Sequence, residues 1–118
     1  MTRLASVWLF FALFLAFSAC ASSNGGEGAK DPQRISESEY DVARDLWIRR
    51  NSPREALDHA LKAVELDEDN ADAAHLVALI YMDFCSRNID ECRLKEAEKH
   101  ARMALKAKPD YREATNTL

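Results

Sequence analysis

Apolar residues recur every three or four positions through the last two thirds of the chain, the spacing that places side chains along one side of an α-helix. Four such segments are predicted, at about 37–49, 53–66, 71–84 and 94–107, and a fifth begins near 111. No segment alternates apolar and polar residues with a period of two, so we expect no sheet. The pattern therefore predicts an all-α fold.

Two predicted helix starts carry capping signals. Ser52 stands at the N-cap position, Pro53 at the first helical position, and Glu55 three residues after the cap. Ser36 and Glu39 repeat the same spacing before the first segment. The sequence therefore predicts that these two helices begin just after Ser52 and Ser36.

The first 19 residues differ from the rest, since they are almost wholly apolar and Arg3 carries their only charge. The run from Leu4 to Phe17 is interrupted only by Ser6. Its 14 residues, at about 1.5 Å each, span roughly 21 Å, less than the roughly 30 Å hydrocarbon core of a bilayer. A basic start, a short apolar core and small residues at the end predict a cleaved secretory signal over 1–19.

The small pair Ser18-Ala19 directly before Cys20 resembles the lipobox of bacterial lipoproteins. The resemblance implies that Cys20 becomes the first mature residue and carries covalent lipid, the only non-protein group we expect. The family prefers Leu where this chain has Phe17, which is still apolar. Ala21, in place of the Asp that retains such proteins in the inner membrane, implies the periplasmic face of the outer membrane. An ordinary cleaved signal with an unmodified cysteine is the alternative.

Residues 20–36 are predicted to form a lipidated, flexible tether, because the segment from Ser22 to Lys30 is rich in Ser and Gly. About 16 such residues have a typical reach of about 20–24 Å. The helical domain is expected to occupy 37–118.

The second and fourth segments share an internal repeat in which Glu-Ala is followed by Ala four and then three residues later. Small residues at these points let two helices approach closely. The pattern resembles the second helix of a tetratricopeptide (TPR) repeat, which ends in Pro; Pro109 fits and Glu68 does not. The shared alanines are Ala56, Ala60 and Ala63 in the second segment and Ala97, Ala101 and Ala104 in the fourth.

The resemblance to TPR proteins extends over 37–118 and implies a solenoid of helix-turn-helix units. Tyr40, Ala43 and Trp47 fit the packing positions of a first helix, although Arg44 stands where the family has a small residue. A generic antiparallel helical bundle is the alternative. The implied units are a repeat at 37–70, an extended repeat at 71–111 and a truncated third repeat at 112–118, which suggests a fragment or a solenoid completed by another chain.

Cys85 and Cys92 lie in the seven residues by which the second repeat exceeds the family length. In an oxidising compartment they are expected to form a disulfide, which would stabilise the fold by roughly 2–2.5 kcal/mol on the chain-entropy model. Two free thiols are one alternative. A metal site that also uses His100 is another, although its ligand set is incomplete.

The TPR resemblance also implies a peptide-binding groove on the inner faces of the first helices. The groove would be acidic with an apolar strip, which suits a peptide or helix with apolar anchors and basic flanks. Ordinary solvated residues are the alternative. The candidate groove residues are Asp41, Asp45, Ile48, Arg49, Asp72, His75, Leu79, Met82, Asp83 and Asn116.

A formal net charge of -4 argues against nucleic acid or an anionic lipid surface as the primary partner. The chain has no Gly-rich phosphate loop, no G-x-S-x-G and no H-E-x-x-H, so we expect neither an enzyme nor a catalytic metal site. A protein-binding scaffold is the function that the sequence favours.

The combination of lipobox, TPR pattern and cysteine-bearing insert resembles the social-motility type of pilotin lipoproteins of type IV pili. These proteins help a secretin ring to assemble in the outer membrane, so the resemblance implies an adaptor whose partner is a secretin. The alternatives are another envelope scaffold, in outer-membrane protein insertion or peptidoglycan synthesis, and the N-terminal part of a larger protein with a further domain.

Overall fold

The computed structural model describes residues 31–118, and this part of the chain contains five α-helices and no strand. The all-α prediction is confirmed for these residues, and α2 and α4 have the predicted bounds. The predicted signal at 1–19 and the lipid site Cys20 lie outside the described residues. The helices are α1 (Pro32–Ile48), α2 (Pro53–Leu66), α3 (Ala71–Ser86), α4 (Leu94–Ala107) and α5 (Arg112–Thr117).

Helix α1 begins at Pro32, so the prediction that the tether extends to residue 36 and the helical domain starts at 37 is wrong. Asp31 caps the helix, because its carboxylate accepts a hydrogen bond from the backbone N–H of Gln33 at 3.2 Å. Ser36, predicted as the cap, is fully buried inside α1 and donates to the carbonyl oxygen of Ala63 on α2 at 2.7 Å. The hydroxyl thus bridges two helices and does not begin one.

Asn70 joins the first two helices to the third. Its side-chain oxygen accepts from the backbone N–H of Ala73 at 3.0 Å and so caps α3. Its side-chain nitrogen donates to the Ser36 hydroxyl at 2.9 Å. By contrast, Ser52 occupies the N-cap of α2 without a side-chain capping bond, so Pro53 at the first helical position is the start signal that holds there.

The turns after α1 and α3 each contain an asparagine in the left-handed region, Asn51 with φ 51° and Asn88 with φ 53°. Asparagine adopts this conformation at lower cost than most residues because its short polar side chain can bond locally. Each turn reverses the chain, so α1 pairs with α2 and α3 pairs with α4.

The two helical hairpins stack side by side. Helix α2 packs on α3 and α4 packs on α5, while smaller contacts join α1 to α3 and α3 to α5. Each of α1 to α4 therefore contacts the next helix, and α1 and α3 also contact the next but one, as in an array of helical hairpins.

Helix α3 lies at the centre of this stack. Eight of its 16 residues are buried, against three of 17 in α1, because α3 has neighbours on both sides. Phe84, Ile80 and Val77 on α3 are the largest fully buried apolar side chains. The alanines shared by α2 and α4 are all buried, so the close helix contacts expected of them are present.

Candidate binding surface

The structure places two of the predicted groove residues, Asp41 and Asp72, in one open cleft of about 530 Å³. The cleft lies between the first half of α1, the α2–α3 turn and the end of α4. Carboxylates from three chain segments line it, with a single cation, Lys108, at one side. We call it the acidic cleft and define it by Glu37, Asp41, Asp67, Asp69, Asp72 and Lys108.

Tyr40 lines the acidic cleft, and Tyr111 contacts two residues that line it. Tyr111 donates its hydroxyl to Oδ1 of Asp72 at 2.7 Å, and Nζ of Lys108 lies 4.8 Å from the centre of its ring. Burial, together with the bond to Asp72, raises the pKa of Tyr111, and burial also raises the pKa of Tyr40. Both hydroxyls therefore stay protonated near neutral pH, and the cleft presents carboxylates beside aromatic rings, a combination suited to cationic side chains.

The end of α1 holds three other predicted groove residues in a separate, shallower depression of about 240 Å³. Ile48 is 66% exposed there and offers an apolar contact. Asp45 forms ion pairs with Arg49 at 3.5 Å and Arg50 at 3.0 Å, so its charge is compensated by the two arginines that follow α1.

The C-terminal half of α3 holds a further group of predicted groove residues. Met82 is exposed and lines a depression of about 270 Å³ with Leu94 and Leu118, whereas Leu79 is half-buried. Asp83 is paired with Arg87 at 3.0 Å. The predicted residues thus contribute to three separate depressions and do not line a single cavity.

Helix α5 carries the predicted groove residue Asn116, which is exposed. The same helix covers another predicted groove residue, His75 on α3. His75 is only 8% exposed, its Nε2 lies 3.1 Å from the hydroxyl of Thr117, and its ring centre lies 5.0 Å from that of Tyr111. Burial lowers the pKa of His75 and so favours the neutral ring. The prediction that His75 lies open in a groove is therefore wrong, because the short α5 packs on α3 at this point.

The insert between α3 and α4 is closed by a disulfide between Cys85 and Cys92, the pairing expected from the sequence. This bond leaves neither sulfur as a thiolate for the alternative metal site, and Nδ1 of His100 lies 2.8 Å from the carbonyl oxygen of Glu96. Among residues 31–118, no group of three or more His, Cys, Asp or Glu side chains is placed to hold a metal ion.

The insert is also attached to the first hairpin. Nε of Arg54, in the first turn of α2, donates to Oε1 of Glu91 at 2.6 Å. The guanidinium lowers the pKa of Glu91, and the carboxylate raises that of Arg54. Ile89 packs against the core, and its backbone N–H donates to the carbonyl oxygen of Phe84 at 2.9 Å. The insert is thus held by a covalent, an ionic and an apolar contact.

One surface on α4 was not predicted from the sequence. Four cations on α4 lie in one row and border a shallow groove of about 410 Å³ with Glu98 and Met103. Their spacing of four, three and four residues is the signal that could have identified them. We call this row the basic face and define it by Lys95, Lys99, Arg102 and Lys106.

Comparison with known proteins adds no relative to these observations. No protein-family model matches the chain, and a search of curated proteins likewise returns no match. Within residues 31–118, each helix is too short or too polar to cross a membrane.

Proposed function

We propose that this chain is a lipid-anchored TPR scaffold on the periplasmic face of the outer membrane, and that it binds a segment of another envelope protein without catalysing a reaction. The observation that carries the proposal is the acidic cleft, in which α1, the α2–α3 turn and the first turn of α3 converge their carboxylates on a space open to solvent. A surface assembled from separate elements and left uncovered is suited to a partner.

The helix contacts support the assignment to the TPR class. Consecutive hairpins stack in order, and the alanines at equivalent positions of α2 and α4 are buried at the helix contacts. The turn after the first helix of each hairpin contains an asparagine in the left-handed region. Repetition of the same small residues at equivalent helix contacts is what a solenoid requires.

The chemistry of the cleft defines the kind of segment that it would bind. Asp41 and Asp69 are exposed and make no side-chain contact to a cation within the described residues, so they are available for Lys or Arg of a partner. Ile48, farther along α1, would receive an apolar side chain. We therefore expect a partner segment with basic residues followed by an apolar anchor.

The specific partner that we propose is an outer-membrane secretin, with the chain acting as a pilotin-like adaptor for type IV pili. The support is the resemblance in the sequence: a lipobox ending at Cys20, the TPR pattern and an insert closed between Cys85 and Cys92. Acyl chains on Cys20 would hold the scaffold at the membrane in which the secretin assembles.

Co-purification of the secretin from solubilised membranes tests the proposed partner. The test variant is Asp41→Asn with Asp69→Asn, and the matched control is Asp58→Asn with Glu65→Gln on the outer side of α2, which removes the same charge elsewhere. We expect the secretin to co-purify with the wild type and the control and to be reduced at least tenfold with the cleft variant. Equal recovery with both variants would exclude the cleft as the binding surface.

Mass spectrometry of the processed polypeptide tests the anchor separately. A mature N-terminus at Cys20 that carries acyl chains is expected, and Cys20→Ser should abolish both the acylation and the lipoprotein cleavage. An unmodified cysteine would refute the lipid anchor without bearing on the cleft.

A further inference from the structure

The basic face of α4 is exposed and lies opposite the side of the helix that packs in the core. The buried side is formed by Ala97, His100, Ala101 and Ala104. At 3.6 residues per turn, the four cations of the basic face lie within about 60° of one another on the other side of the helix. The face therefore points away from α3, against which α4 packs.

The charge of the basic face is only partly compensated. Glu98 pairs with Arg102 at 2.8 Å, and Glu96 lies 3.7 Å from Nζ of Lys99. Lys95 and Lys106 form no ion pair with any residue of 31–118, and both are exposed. The helix thus presents an excess of positive charge to solvent.

Helix α2 provides an internal comparison, because the repeat aligns it with α4. The positions of α2 that correspond to the four cations are occupied by Arg54, Asp58, Leu61 and Glu65. The repeat architecture therefore does not require cations at these positions, and the basic face belongs to α4 alone.

The helical body, residues 31–118, likewise divides into an acidic part and a basic part. Residues 31–94 contain eight Lys and Arg against fifteen Asp and Glu, a net charge of -7. Residues 95–118 contain six against four, a net charge of +2. An anionic surface would repel most of the body and attract the part that bears α4.

The proposed anchor keeps the body close to such a surface. Only eleven residues, 20–30, separate the lipidated position from the N-cap of α1, and their Ser- and Gly-rich sequence gives an expected reach of about 17–20 Å. A tether of this reach lets the helical body approach the bilayer to within one Debye length, about 8 Å at physiological salt, where the headgroup charge acts on it.

We propose that the basic face of α4 lies against the anionic phospholipid headgroups of the bilayer in which the chain is anchored. The inference rests on the acyl anchor of the proposed function and adds an orientation to it. Because no residue of the basic face lines the acidic cleft, the cleft then remains open to the periplasm. One surface of the stack contacts lipid and another contacts protein.

Amine labelling of the lipidated full-length mature protein tests this orientation. The protein is reconstituted in vesicles of phosphatidylcholine alone or of phosphatidylcholine mixed equally with phosphatidylglycerol, so that the acyl anchor is the same in both. Mass spectrometry then gives the labelling rate of each lysine. We expect Lys95, Lys99 and Lys106 to react at least threefold more slowly in the anionic vesicles, whereas Lys62 on α2 reacts equally in both. Raising the salt to about 1 M, where the Debye length is about 3 Å, should remove the difference.

Two matched variants make the test specific. Lys95→Glu with Lys106→Glu reverses two charges of the basic face, and Arg34→Glu with Arg44→Glu reverses two exposed charges of α1. Protection of Lys99 should be lost in the first variant and retained in the second. Equal labelling of Lys99 by wild-type protein in both kinds of vesicle would overturn the proposal and leave an acidic protein as the occupant of this face. Failure of the anchor itself would appear as an unacylated Cys20 in the mass spectrum of the processed polypeptide, before any labelling.

Discussion

In the α1–α2 hairpin, polar side chains connect the two helices, whereas apolar packing and a disulfide dominate the α3–α4 hairpin. Oε1 of Glu39 on α1 accepts from Nζ of Lys62 at 2.5 Å, and its Oε2 lies 2.6 Å from Nδ1 of His59, both on α2. In the second hairpin, Ile80 and Phe84 are fully buried beside the bond between Cys85 and Cys92.

The difference follows from position in the stack. Helix α3 contacts α1, α2, α4 and α5, so half of its residues are buried, and all of these except His75 are apolar. Helix α1 contacts only α2 and α3 among the described helices, which leaves room for polar residues and for the acidic cleft. Two hairpins with the same alanine pattern thus acquire different chemistry from the number of their neighbours.

The largest expected effect is that of Phe84→Ala in the second hairpin. Removal of this fully buried ring should lower the free energy of unfolding by about 3–5 kcal/mol, measured by urea denaturation. Met82→Ala, an exposed position on the same helix, should change it by at most about 0.5 kcal/mol. Equal losses in the two variants would contradict the assignment of α3 as the centre of the core.

Replacement of both insert cysteines, Cys85→Ser with Cys92→Ser, should cost about 2.5 kcal/mol, because the unfolded chain is no longer constrained by the eight-residue loop. The same denaturation measurement, repeated with a dithiol reductant, gives the control: reduction should destabilise the wild type and leave the double variant unchanged. A reductant effect on the double variant would assign the loss to another cause.

Ser36→Ala tests the polar connection of the first hairpin. The substitution leaves the side-chain nitrogen of Asn70 without its acceptor in a partly buried place, which should cost about 1–3 kcal/mol in the free energy of unfolding. Ser38→Ala, an exposed neighbour on the same helix, should have almost no effect. A loss no larger than that of Ser38→Ala would show that the hairpin does not depend on this bond.

The smallest expected effects are on the pH dependence of stability, and each hairpin contributes in a different pH range. Burial lowers the pKa of His75 below its ordinary 6.5, so the unfolded chain binds this proton first and stability falls as the pH drops below about 6.5. Hydrogen bonds from Lys62 and His59 lower the pKa of Glu39 below 4.5 in the folded protein. The contribution of Glu39 to stability is therefore fully present above pH 4.5 and is lost as the pH falls through its folded-state pKa.

Thermal melts between pH 7 and 3 measure these two contributions. His75→Gln should flatten the decline that begins near pH 6.5, and Glu39→Gln should flatten only the part below about 4.5. An identical pH profile for both variants and the wild type would refute both assignments.

Local patterns were sufficient to predict most of the helices. The spacing of Ala56, Ala60 and Ala63 depends only on helix geometry, and the bounds of α2 follow from it with Pro53. The start of α1 could not be predicted in this way, because Ser36 fits a capping pattern locally and its partner, Ala63, lies 27 residues away.

The candidate site was predicted less well, for the same physical reason. Asp41 and Asp72 were identified from their places on first helices, but Asp67 and Lys108 reach the cleft only through the packing of α2 and α4. His75 is covered because α5 folds back on α3, a contact that no spacing within α3 reveals. Long-range packing decides which charged residues share a surface.

The two hydrogen bonds of the Asn70 side chain have a consequence for how the molecule opens. Its side-chain amide caps the start of α3 by accepting from the N–H of Ala73, and it also donates to the hydroxyl of Ser36 on α1. Fraying of the first helix would therefore remove one of the two bonds that orient the Asn70 amide and would weaken the cap of the third helix, so local opening at the N-terminal edge is communicated to the centre of the stack. Hydrogen exchange at the Ala73 amide would register opening at the start of α1 before either hairpin separates.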